Sequence, residues 1–127
     1  MPDLDPSSAR TVADFAQSMG LSSRQNDDGS FGFDFENAGR LSILSDETGD
    51  TVLVSLTRRI IADDVVPLAR LAGAAGYIPN VDLLLQAGLN KAGQPVLTTA
   101  LQRRHFDLPR LDATFAALRD AFDAQGI

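Results

Sequence analysis

The sequence predicts an α+β domain with elements in the order α-βββ-α-ββ-α: a mostly antiparallel five-stranded sheet with helices packed mainly on one face. Three observations predict it. In Phe31-Gly32-Phe33-Asp34-Phe35 every odd position is a phenylalanine, and because successive strand side chains point to opposite faces, the three rings share one side. The alternation returns in Leu41-Ser42-Ile43 and, after the turn-rich Asp46-Glu47-Thr48-Gly49-Asp50, in Val52-Leu53-Val54-Ser55-Leu56, so residues 30–61 read as a β-meander. Farther on, Leu108, Leu111, Phe115, Leu118 and Phe122 recur at spacings of three and four, the mark of an amphipathic helix.

Residues 1–7, with two prolines among polar side chains, read as a flexible N-terminal tail, leaving 8–127 as a single α+β domain of ordinary size. Ser7 or Ser8 is expected to cap a first helix over Ala9 to Met19, whose Val12, Phe15, Ala16 and Met19 fall on one face before Gly20 stops it. Asp28-Gly29 supplies the turn into the first strand. After the meander, Asp64 reads as the N-cap of a second helix with Pro67 at its third position, where a missing N–H forfeits no intrahelical bond. Its apolar face would hold Leu68, Leu71, Ala72 and Ala75, and Gly76 with Pro79 beyond would end it. Val81 to Leu89 and Val96 to Arg104 read as two strands of a hairpin turning at Asn90-Lys91-Ala92-Gly93. Asp107 caps the last helix, with Pro109 in its first turn.

Composition narrows the function. The absence of cysteine excludes disulfides, thiolate metal sites and cysteine nucleophiles. A net charge of −6 opposes sequence-independent binding to nucleic acid or to an anionic membrane. No run approaches the ~20 apolar residues of a membrane span, and the acidic start is unlike a signal peptide, so a soluble cytoplasmic protein is expected. The aspartate clusters read as turns and caps without the ligand order of a calcium loop, and neither metal nor cofactor is expected. Arg58-Arg59 reads as a solvated strand end. His105, the single histidine, follows Arg103-Arg104 and has no catalytic partner legible in the sequence, so the expectation is not an enzyme. Leu44, Leu53 and Leu84 break the core-facing alternation, which puts apolar surface on the second face of a one-sided sheet.

The sequence resembles the class I chaperones of bacterial type III secretion over residues 12–123. The resemblance is carried by Phe15-Ala16-Gln17-Ser18-Met19-Gly20-Leu21, the meander, Leu68-Ala69-Arg70-Leu71-Ala72, the hairpin Leu83 to Leu101, and Leu108 to Phe122. It implies an acidic homodimer that binds the N-terminal segment of a secreted effector and keeps it unfolded and secretion-competent without ATP. Carried over, it makes Val12, Phe15, Met19, Leu44 and Leu53 client-binding candidates. It places Leu68, Leu71, Ala72, Ala75 and Leu84 at a dimer interface, although the Ala/Gly-rich stretch 72–76 departs from the bulkier residues usual there. Two alternatives stand beside it: a small ligand-binding or enzymatic domain with a pocket near His105, and a dimeric regulator of the same topology.

Overall fold

Asp5, rather than Ser7 or Ser8, opens the first helix. Its backbone is extended and its carboxylate accepts the Ser8 N–H at 3.4 Å, while Pro6 fixes the first helical φ of α1 (Pro6–Ser18). Hydrogen bonding to Ser8, and more weakly the charge of Arg103, hold the Asp5 carboxyl below its usual value. Pro6 and Ser7, assigned to a tail from sequence, therefore form the first helical turn, and Leu4 is buried against the core. Gly20, at φ +70, ends the helix as foreseen. The Leu21 N–H reaches back to the Ala16 carbonyl at 2.8 Å, satisfying the last turn.

The computed structural model describes residues 3–22, 25–59 and 68–127, with Leu68 described by its backbone alone. The expected cap Asp64 and Pro67 lie outside the described residues, as do Ile60 and Ile61 at the end of the expected meander. The meander forms β1 (Phe31–Phe35), β2 (Gly39–Ser45) and β3 (Thr51–Thr57). Then come α2 (Leu68–Ala74), β4 (Gly76–Ile78), β5 (Leu83–Leu89), β6 (Pro95–Gln102), a 3-10 turn at Arg103–His105 and α3 (Leu108–Ala124). All ladders are antiparallel, and the sheet order is β1-β2-β3-β6-β5-β4.

The sheet thus has six strands where the sequence suggested five. The extra one, Gly76-Tyr77-Ile78, is too short to show a period of two and is bracketed by the glycine and proline that read as a helix ending. Asp82 adopts φ +50, so β5 begins at Leu83 instead of Val81. The last strand stops at Gln102, where the chain tightens into the 3-10 turn.

One face of the sheet is covered. Phe33, Leu41 and Leu56 are register partners across the meander, as are Phe31, Ile43 and Val54, and all six are buried beneath α1 and α3. Phe15 of α1 stands edge-on to both Phe33 and Phe115, with ring centroids 5.9 Å apart in each pair. Leu111, Leu118 and Phe122 of α3 complete the layer, and Asp107 caps that helix by accepting the Arg110 N–H at 2.9 Å.

Arg58 departs most from its sequence reading. Only 8% exposed, it is buried where a solvated strand end was expected. Its guanidinium donates to the Ala38 carbonyl (2.7 Å), the Asp123 carboxylate (2.8 Å) and the Ile127 carbonyl (2.7 Å), and lies 5.2 Å from the Phe122 ring centroid. The last turn of α3 has no basic residue of its own, so Arg58 supplies the cation that its dipole favours there. Gly39, at φ +113, allows this corner to close, because a Cβ there would collide with the Thr57 carbonyl.

Candidate functional site

The face opposite the helices is the candidate site. Register partners share a face, so the ladders lay its side chains out in rows across the strands. One row is apolar: Leu44, Leu53 and Ala100. Beside it runs a polar row of Ser42, Ser55, Thr98 and Gln86, in which the Ser55 and Thr98 hydroxyls are bonded at 3.0 Å. Next come Arg40, Thr57 and Val96, with Arg40 reaching across Gly32 to pair with Asp34 at 2.9 Å. No described helix packs on this face. Leu44 and Leu53 are half-buried.

At one side β5 changes partner along its length. β5 pairs with β6 only from Gln86 onward and with β4 over Leu83 to Leu85. The buried Thr99 hydroxyl donates to the Leu84 carbonyl at 2.9 Å where the ladder lapses. Leu84 and its partner Tyr77 are each 58% exposed, an apolar pair beside the free edge of the sheet. The Tyr77 hydroxyl donates to Asp82 at 2.7 Å, and that bond to a carboxylate raises the phenol's pKa.

The residues proposed from sequence divide sharply. Leu44 and Leu53 are brought together as direct register partners on the uncovered face. Val12 and Phe15 are fully buried, because α1 lies flat on the sheet and turns its apolar stripe inward, so neither offers surface to a client. Met19, 41% exposed at the end of α1, belongs to the helix side and does not join Leu44 and Leu53. Of the dimer candidates, Leu71 is likewise withdrawn into the core, whereas Ala72, Ala75 and Leu84 are exposed; the Leu68 side chain lies outside the description. Sequence reasoning missed Ala100 and Tyr77. Alternation alone could have flagged Ala100, whereas Tyr77 has no periodic context.

His105 is exposed on the 3-10 turn, beside an open cleft of about 430 Å³ lined also by Asp82, Ala100, Gln102, Arg104 and Arg110. Among the described residues no carboxylate pairs with it.

No protein-family model and no curated protein sequence matches the chain. Solved structures do, along nearly its whole length. It is similar to a chain of the HopA1-SchA chaperone-effector complex, with a TM-score of 0.69 and 21% identity over 96% of this chain and 97% of that one. The ExsC-ExsE complex gives the same TM-score of 0.69 at 23% identity, covering 98% and 96%. The Yersinia pestis type III secretion chaperone SycH, in complex with a fragment of YscM2, gives 0.63 at 13% identity, covering 89% and 94%. The chain has the class I type III secretion chaperone-like fold.

Proposed function

We propose that this protein is a cytoplasmic, non-enzymatic chaperone of type III secretion, a homodimer that binds the N-terminal segment of a secreted effector and keeps it extended without ATP. The observation that carries this reading is the uncovered sheet face, whose row of Leu44, Leu53 and Ala100 presents apolar side chains that no described helix covers, on a fold shared with chaperones found in effector complexes. An unfolded segment can lay alternate side chains on such a row. The second copy would use the exposed Ala72 of α2, Ala75 just past its end, and the β4–β5 pair Tyr77 and Leu84.

Co-expression with secreted proteins encoded beside it tests the reading. A soluble complex should survive a sizing column, and Leu44→Asp with Leu53→Asp should weaken it by at least about thirtyfold, as expected for central apolar anchors. The same pair of changes should leave the secondary structure intact, since both side chains lie outside the core. Leu84→Asp should shift light scattering from dimer to monomer. A chain that is monomeric at micromolar concentration and retains no secreted protein would end the proposal.

A further inference from the structure

The apolar row does not end in neutral surface. Ala100, its last member, also lines the cleft that holds Arg104, His105 and Arg110, so the row runs directly into a basic corner of a protein whose net charge is −6. Asp50 shares a second cleft with Gln102, Arg103 and Arg104 without pairing to either arginine within 4 Å, and most of the other neighbouring charges are already engaged. Arg103 lies 3.9 Å from Asp5, Arg110 donates to the Val81 and Asp82 carbonyls, Asp82 accepts from Tyr77, and Asp107 caps α3. Arg104 differs from them. It is exposed, its Nε is held at 3.0 Å by the Oε1 of Gln102, and among the described residues it has no carboxylate partner. Gln102 has the same strand parity as Ala100 and Leu53's partner row, which anchors the guanidinium at the rim of the uncovered face. With Nε engaged, the two terminal nitrogens present the donor fork that matches a carboxylate.

We infer that the uncovered face selects an extended peptide segment in which one or two acidic residues directly follow apolar anchors, the anchors lying on Leu44, Leu53 and Ala100 and the carboxylate on Arg104. This rests on the client-binding reading and gives it a chemical sign: the overall acidity suggests a basic client, whereas this corner calls for an acidic one. The spacing is consistent, since three neighbouring strands set Leu44 and Ala100 about 10 Å apart, the reach of roughly three extended residues.

Three fluorescein-labelled decapeptides test this, each alternating leucine and serine and ending in two aspartates, two asparagines or two lysines. Fluorescence anisotropy with the intact protein at low salt should show the aspartate peptide binding at least about tenfold tighter than the lysine peptide, with the preference shrinking as salt is added. Arg104→Glu should abolish or reverse the order, while Lys91→Glu, an equal charge change on the exposed β5–β6 turn, should preserve it. Leu53→Asp should weaken all three. Equal affinities, no binding of any peptide, or an unchanged preference in Arg104→Glu would overturn the inference. So would loss of the dimer in Leu53→Asp, because a second copy would then occupy the face. Retention of a co-expressed effector without any charge preference would sink this inference alone and leave the chaperone reading standing.

Discussion

Phe15→Ala is expected to destabilise the protein by about 3–5 kcal/mol, the usual cost of deleting a buried aromatic ring. Phe15 is fully buried and contacts two other rings edge-on, so its loss removes both apolar burial and two aromatic pairs at the junction of α1, α3 and the meander. Urea denaturation measures it. The result also separates two roles, because a residue in the client surface would alter binding with little change in stability. Below its lowered midpoint, Phe15→Ala should still capture client. Leu53→Asp should do the reverse, keeping the fold and losing the client. A change below about 1 kcal/mol for Phe15→Ala would contradict the packing of α1 described above.

Arg58→Met should cost about 2–4 kcal/mol. Methionine fills much of the volume, but it leaves the half-buried Ala38 and Ile127 carbonyls without their donor, at a desolvation cost for each, while Asp123, 59% exposed, turns to water. Arg58→Lys should recover only part of the loss, since one ammonium cannot reproduce a planar fork directed at three acceptors. Arg59→Met is the control. That side chain is 76% exposed, with only a 3.8 Å approach to Asp34, and should change stability by no more than about 0.5 kcal/mol. Thermal or urea unfolding of the three variants distinguishes a buried latch from a surface charge.

What was legible in the sequence follows from where a period exists. The meander and α3 are long enough for alternation or the helical spacing to repeat, so the sequence puts Phe33, Leu41 and Val54 on a core strand face and Leu111 and Phe122 on one helix face, and all five are buried. β4 has three residues and no repeat, and it escaped. Periodicity also reports only that an apolar residue faces something, not what it faces. Val12, Phe15 and Met19 share one helical face by their spacing, yet the core takes the first two and leaves the third exposed. Arg58 was illegible for another reason: its partners are a turn twenty residues before it and a helix end sixty-five or more after it, and local sequence holds no trace of either.

The sheet order has a consequence for how the chain folds. The meander β1-β2-β3 and the hairpin β5-β6 are each built from local pairings, but one sheet results only when β3 meets β6. Ser55 and Thr98, bonded across that seam, are 43 residues apart, and closing a loop of that length costs about 3 kcal/mol of chain entropy before any contact offsets it. Formation of the central seam is therefore the step expected to set the folding rate. Stopped-flow refolding should be slowed more by Leu97→Ala, on the seam, than by Phe31→Ala, on the outermost strand.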